Sequence, residues 1–259
     1  MTEMSEHLRL RVFAGPNGSG KTTIINSIRS LNVNGRPIDF GIYINADDIA
    51  NELRLSQFSF SSFGVNSVTT DEIIDSAVES GLLSEDTERN VLISSIEIIG
   101  NQIVCSQIDQ IEPLAQLLAD FLRKKLLEER CKFSFETVFS HHGKVDLMCQ
   151  SSNLGYKVYL YFVGTESPEI NKYRVRSRVA KGGHDVPEDK VVSRYYRSMN
   201  LLKDAAQCCH QAFFFDNSND GEKFTLFAHF KVIDGKKVWD PIDSYKVPQW
   251  FQRYYANKV

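Results

Sequence analysis

The sequence predicts an α/β protein built as a three-layer α/β/α sandwich on a parallel sheet, and three observations predict it. Short apolar strands alternate with stretches of helical periodicity along most of the 259 residues, the pattern that lays strands side by side with helices over both faces. A glycine-rich turn, Gly15-Pro16-Asn17-Gly18-Ser19-Gly20-Lys21-Thr22, follows the first strand and opens the first helix. A basic segment broken at Gly182-Gly183 follows the fourth strand and reads as a helical hairpin, an arginine-bearing lid.

Each element has its own signal. Residues 8–14 (LRLRVFA) alternate and then run apolar into the turn, which predicts a strand feeding a helix over about 21–31. Residues 40–45 (FGIYIN) read as a second strand ending in polar residues. From about 48 to 130 the pattern is helical: Thr69 and Glu72 have capping-box spacing, and Leu114, Leu117, Leu118, Phe121, Leu122 and Leu126 recur at three- and four-residue steps after Pro113. Residues 132–138 (KFSFETV) and 157–163 (KVYLYFV) are the third and fourth strands. Ser167-Pro168 opens a helix that stops at the glycine pair, and Asp185, Pro187 and Glu188 start another running to about 210. Residues 212–215 (AFFF) form a core strand, Asp234-Gly235 the turn of a hairpin, and 250–255 an aromatic closing segment. The expected organisation is a core of 1–50 and 131–221 with a lid at about 167–200, a helical insertion at 51–130, and a carboxyl-terminal hairpin and closing segment at 222–259.

Composition narrows the function. At 42% hydrophobic and 24% charged the chain is globular rather than disordered or fibrous. No apolar run reaches the ~18 residues of a membrane span, and acids among the first residues, without an apolar run after them, speak against export. Five cysteines without a C-x-x-C pair suit reduced thiols, so a cytoplasmic location and neither disulfide framework nor zinc site are expected. Between 171 and 197 eight basic residues meet three acids, while 71–130 carries thirteen acids and five bases. A local basic block in a chain of net charge −3 speaks for one anionic ligand held at one place, and against nucleic acid as a partner.

The glycine turn matches G-x-x-x-x-G-K-[ST] at every fixed position and in the required strand-to-helix context. Its glycines let main-chain amides converge on phosphate, and the following helix adds its positive end. The expected cradle is Gly15, Pro16, Asn17, Gly18, Ser19 and Gly20, with Lys21 on the β- and γ-phosphates and Thr22 and Thr23 at the helix start. The Thr22 hydroxyl is expected to join a Mg²⁺ shell.

Acids end two strands. Asp47 and Asp48 follow the second, one expected to cap the next helix and one to work on the substrate; Glu136 lies within the third, where an unpaired charge would be costly. In open α/β sheets the ligand crevice lies at the carboxyl ends of strands, so Asp47 and Glu136 are expected near the glycine loop. Arg174 and Arg178 share one helical face, and Arg194 and Arg197 another. Planar guanidinium groups suit the charge that spreads over a transferring phosphoryl group, and a closing hairpin excludes water.

Residues INADDIA (44–50), FSFETVFSHHGK (133–144), GYKVYLYFV (155–163), RVRSRVAKGGHDVP (174–187), RYYRS (194–198) and FDNS (215–218) together resemble the zeta-toxin family of P-loop kinases, more narrowly its bacterial "ABC-type ATPase-like" branch. The resemblance covers about 8–50 and 131–218 and implies a P-loop kinase-like fold. It also implies ATP and Mg²⁺ as cofactors and transfer of the γ-phosphate to a hydroxyl, in the family the 3′-hydroxyl of UDP-N-acetylglucosamine. Asp47 would be the catalytic base, helped by Lys21, Arg178 and Arg194. Asp48, Glu136, Thr137, Arg174 and Arg197 would lie on the acceptor side, and Asn217 would border the adenine. An antitoxin protein is an implied partner. A departure is the acidic stretch after residue 50, where Arg54 is the only basic residue before Arg89. A 5′-hydroxyl nucleic-acid kinase and a nucleotide-gated binding protein without transfer activity are the alternatives.

Smaller features have plainer readings. His141-His142 is expected in a loop, His184 at a cap or a phosphate, and Cys208-Cys209 as core thiols on a helix. The basic end of helix 112–130 (Arg123, Lys124, Lys125) is either a partner face or internal packing.

Overall fold

A computed structural model describes residues 8–33, 35–83, 86–183 and 185–258. The leading acids Glu3 and Glu6, and His184, lie outside them. In chain order the elements are β1 (Arg9–Ala14), α1 (Lys21–Arg29), β2 (Asn32–Val33), β3 (Arg36–Pro37), β4 (Ile42–Ile44), α2 (Ala46–Arg54), α3 (Thr70–Glu79), α4 (Asp86–Ser95), β5 (Ile96–Ile99), β6 (Gln102–Cys105), α5 (Ile111–Glu128), β7 (Phe133–Thr137), α6 (Gly143–Asn153), β8 (Lys157–Gly164), α7 (Pro168–Val179), α8 (Glu188–Asn200), α9 (Leu202–Gln207), β9 (Gln211–Asp216), β10 (Thr225–Ile233), β11 (Lys236–Trp239) and α10 (Gln249–Phe251). The chain forms two compact units, 1–40 with 134–259, and 41–133. Among the described residues no helix is long and apolar enough to cross a membrane.

In the first unit the strands lie in the order β11-β10-β9-β8-β1-β7. β1, β8 and β9 run parallel, with Val12 opposite Leu160 and Leu160 opposite Ala212. β10 and β11 return antiparallel through the expected turn at Asp234-Gly235. Consecutive residues of a strand point to opposite faces, and nearly all of β1 and β8 is buried, so both faces of the sheet are covered there. One face is an aromatic ladder: Phe13 stacks on Tyr161 at 4.8 Å, Tyr161 on Phe213 at 4.9 Å and Phe213 on His229 at 4.2 Å. These are register neighbours on four adjacent strands, and such cross-strand pairs lock the register. The α/β fold with a mostly parallel sheet is therefore present.

The second unit is built around α5, whose leucine face packs on α2 and α3. It is less uniformly helical than its sequence suggests. Residues 96–105 pair as an antiparallel hairpin, β5 with β6, because β-branched Ile96, Ile98, Ile99, Ile103 and Val104 flank a Gly100-Asn101 turn. The basic end of α5 turns inward. Arg123 is 4% exposed and pairs with Asp120 at 3.0 Å, with burial pulling its guanidinium below the ordinary value. Lys124 donates to the Ser76 carbonyl, and Lys125 pairs with Glu72 at 3.4 Å. Thr69 and Glu72 form the expected capping box.

The reading of all five cysteines as free thiols is corrected. Cys149 on α6 and Cys208 just beyond α9 are joined by a disulfide, their Cα atoms 4.8 Å apart across 59 residues of sequence. Cys105, Cys131 and Cys209 are free. A pair so distant in sequence has no spacing signal; it is the packing of α6 against α9 that brings the sulfurs together. The expected single helix to about 210 also breaks, at Leu201, into α8 and α9, so Cys208 and Cys209 follow a helix rather than sit on one.

Candidate functional site

The glycine loop runs from the carboxyl end of β1 into α1. Gly18 (φ +76) and Gly20 (φ +96) occupy left-handed backbone that favours glycine, and a Cβ on either would collide. At Gly18 it would stand 2.7 Å from the Asn171 carbonyl oxygen, and at Gly20 it would strike the Asn217 amide. Gly20 is the amino cap of α1 and offers no side chain, so the first amides of the helix keep their capacity for an anion. The Ser19 Oγ and Asn17 Oδ1 atoms are buried without a hydrogen-bond partner. Lys21 is 8% exposed; its Nζ donates to the carbonyls of Gly15 at 3.0 Å and Pro16 at 3.1 Å, and stands 3.9 Å from Glu136 Oε1.

This arrangement fits a polyphosphate. The loop meets the positive end of α1, where the helix amides have no side-chain cap, and holds a buried hydroxyl that its own atoms leave unused; Lys21 is folded back on carbonyls and a carboxylate that a phosphate would outbid. Thr22 and Thr23 are exposed on the first turn, so the Thr22 hydroxyl is available as one oxygen ligand for Mg²⁺. Among the described residues no group of three or more His, Cys, Asp and Glu side chains gathers as a metal site. Glu136, expected to need a partner inside its strand, has Lys21 as one. Thr137 turns inward locally, its Oγ1 accepting from the Phe139 amide at 3.0 Å.

Two asparagines hold the loop from outside. Asn171, fully buried in the second turn of α7, donates from Nδ2 to the Asn17 carbonyl at 2.5 Å and accepts from the Thr165 hydroxyl. Asn217, just past β9, donates from Nδ2 to the Ser19 carbonyl at 2.8 Å. Arg174 links the two supports. Its guanidinium donates to the Asn217 carbonyl at 2.6 Å and to Asp220 Oδ1 at 2.7 Å. Asn171, Thr165 and Asp220 have no place in the sequence reading; a single asparagine in a charged helix belongs to no motif and no periodicity.

Farther out, α7 and α8 pack on each other through Val175, Val179, Val186 and Val191. Arg176, and behind it Lys172, hold the Glu188 carboxyl below its usual range. Arg178 and Arg197 are exposed. Arg197 donates to the Ser193 carbonyl and hydroxyl, both at 3.3 Å. Arg194 is half-buried and makes no hydrogen bond or ion pair with another described residue; burial and then Arg197 pull its guanidinium below the ordinary value. A guanidinium held in that state gains most from an incoming anion.

Asp47 and Asp48 belong to the second unit, both exposed in the first turn of α2. Neither caps that helix, contrary to expectation. Asn45 does, its Oδ1 accepting from the Asp47 amide at 2.9 Å, because the residue before the first helical one has the extended backbone a cap needs. Asp48 and burial together raise the Glu52 carboxyl, burial more. His142 sits at the start of α6, with Nδ1 3.0 Å from Asp146.

No protein-family model matches the chain. A stretch of 69 residues, 27% of the chain, is 32% identical to an uncharacterized protein of Haemophilus influenzae and covers 49% of it, so the chain spans about half the length of that relative. Among solved structures, the chain is similar to a chain of the AvrRxo1-ORF1:AvrRxo1-ORF2 complex with sulphate ions (TM-score 0.53, 15% identity, 97% of this chain and 65% of that one). It is likewise similar to a chain of the same complex with ATP (TM-score 0.51, 16% identity, 98% and 66%). A chain of the PezAT chromosomal toxin-antitoxin system of Streptococcus pneumoniae aligns at TM-score 0.46 and 15% identity, over 98% of this chain and 80% of that one. At these identities the likeness to the AvrRxo1 complex is one of fold.

Proposed function

We propose that the protein is an ATP-dependent kinase that transfers the γ-phosphate to a hydroxyl of a small molecule, a nucleotide sugar of the UDP-N-acetylglucosamine kind, with an antitoxin-like protein as its partner. The observation that carries the reading is the loop itself: a complete phosphate-binding motif with open helix amides, an unused buried Ser19 hydroxyl and a buried lysine. The zeta-toxin resemblance of the motifs supports the reading. So does the fold likeness to a complex solved with ATP.

ATP with Mg²⁺ would supply the phosphoryl group and the divalent charge beside it. The main-chain amides of the Gly15–Gly20 loop other than that of Pro16, which has no N–H, bind the phosphate chain, Lys21 leaves its carbonyls and Glu136 to neutralise it, and Thr22 offers its hydroxyl to Mg²⁺ while Thr23 extends the first turn. Asn217, fastened to Ser19, borders the base. Asp47 takes the proton from the acceptor hydroxyl, and Asp48, Glu136 and Thr137 orient that acceptor. Arg178 and Arg194, with Arg197 beside them, offset charge on the transferring group. Arg174, engaged by Asp220 and the Asn217 carbonyl, acts by holding the loop in place.

The test is incubation with ATP, Mg²⁺ and a metabolite extract, followed by mass spectrometry. A new phosphorylated species is expected with the wild-type chain and not with folded Lys21→Ala or Asp47→Ala. Binding of ATP without transfer to any acceptor would overturn the kinase reading and leave a nucleotide-gated binding protein. Transfer that survives Asp47→Ala would remove Asp47 as base. Transfer to a polynucleotide 5′-end alone would replace the sugar acceptor.

A further inference from the structure

The phosphate loop occupies one edge of the sheet; a second concentration of positive charge lies at the other. β1 and β8 run parallel with Arg9 opposite Lys157, and the loop follows the far end of β1. Six residues at ~3.3 Å each put the two edges about 20 Å apart. At the edge where β8 begins there is a cleft of about 630 Å³, walled by the α6–β8 turn (Ser152, Lys157), the end of α9 (Gln207, His210) and the β10–β11 hairpin (Lys236, Lys237).

No carboxylate lines this cleft. Among the described residues Lys157, Lys231, Lys236 and Lys237 have no ion-pair partner, although other lysines of the chain find one: Lys172 with Glu188, Lys246 with Asp243, Lys258 with Asp204. Lys237 donates to Gln207 Oε1 at 3.0 Å and lies 4.8 Å from the centre of the Phe230 ring. It is only half-exposed, and burial holds its ammonium below the ordinary value. His210 is also held down, by burial first and then by Lys157 and Lys231. Positive charge is thus gathered around His210, and among the described residues that line the cleft there is no carboxylate to offset it.

We propose that this cleft is a second anion site, for a small phosphate-bearing polyanion. Ammonium groups are compact point charges without the planar fork of arginine, so three lysines lining one cleft suit a ligand whose charge is concentrated, as on a diphosphate. The volume suits a small molecule. Gln207, whose oxygen accepts from Lys237, has amide hydrogens to offer, and Ser152 adds a hydroxyl. The Cys149–Cys208 disulfide joins α6 to the end of α9, two of the three walls, so the site is formed before the ligand arrives.

The experiment is calorimetric titration of the full chain with inorganic pyrophosphate at low ionic strength. Two equivalents are expected with the wild type. Lys157→Glu/Lys236→Glu should lose one and keep the other, whereas Lys21→Ala should lose only the latter. If the nucleotide reading of the loop fails, a single equivalent remains that the lysine reversal removes and Lys21→Ala does not, so the two failures are distinguishable. Lys157→Ala and Lys236→Ala, each at an exposed residue, should each weaken the cleft equivalent about tenfold and serve if the double variant does not fold. Lys223→Glu, an exposed reversal elsewhere, should leave it unchanged. Pyrophosphate binding unaltered by the lysine substitutions, or weakened equally by Lys223→Glu, overturns the proposal.

Discussion

The two halves of the α7–α8 hairpin use the same residue type for opposite ends. At the root, Arg174 is surrounded by acceptors and helps Asn171 and Asn217 fix the backbone of the phosphate loop. On α8, Arg194 is half-buried and has no hydrogen bond or ion pair with another described residue; it too lies near the root, since its neighbour Tyr195 donates to the Thr165 carbonyl. Charge alone does not separate them; what does is whether a carbonyl or carboxylate already stands in front of the guanidinium. Arginines on the two helices of one hairpin can therefore be a strut and a ligand group, with α7 fastened at Asn171 while α8 presents Arg194 to an anion.

That contrast can be broken in graded steps. The largest effect is expected behind the hairpin, where Cys149–Cys208 ties α9 to α6: removing a link that closes about 59 residues costs about 4 kcal/mol in a chain-entropy account, read as the loss of denaturation midpoint in Cys149→Ser/Cys208→Ser. Lys21→Ala should leave that midpoint in place and lower turnover about a hundredfold or more, since it removes a preorganised cation from the phosphate site. Asn171→Ala strips the Asn17 carbonyl and the Thr165 hydroxyl of a buried partner and should cost about 2 kcal/mol in chemical denaturation, with ATP affinity falling alongside. Arg194→Ala should do the reverse of Asn171→Ala, lowering turnover about tenfold with no loss of melting temperature. Arg176→Ala, which breaks the solvent-exposed bond to Glu188, should change stability by about 0.5 kcal/mol or less, and less still in high salt.

Much of this was legible from residue order, and the omissions have physical causes. The phosphate loop, the parallel strands and the hairpin turn at Asp234-Gly235 are local patterns, because glycine conformation, period-two burial and turn chemistry act over a few residues. The β5–β6 hairpin was hidden inside a helical stretch, since Ile-Glu-Ile-Ile satisfies a buried helix as well as a strand until its partner is known. The helix break at Leu201 carries no glycine or proline to announce it. The disulfide, the inward turn of Arg123 and the grip of Asn171 on Asn17 are long-range pairings, and no spacing within one segment encodes them. Asp47 and Asp48 show the converse: residue type suggested a cap, but the extended backbone just before the helix, two residues ahead of Asp47, gave that role to Asn45. Arg174 and Arg194 looked alike because helical periodicity reports a face, not the acceptors waiting beside it.

The most direct measurement compares wild type with Arg194→Ala on three readouts at once: affinity for a non-hydrolysable ATP analogue, melting temperature and phosphoryl-transfer rate. The division between strut and ligand arginines predicts an unchanged melting temperature, analogue affinity within about threefold, and a transfer rate lower by about tenfold. A melting temperature that drops, or a transfer rate that stays at the wild-type level, would contradict it.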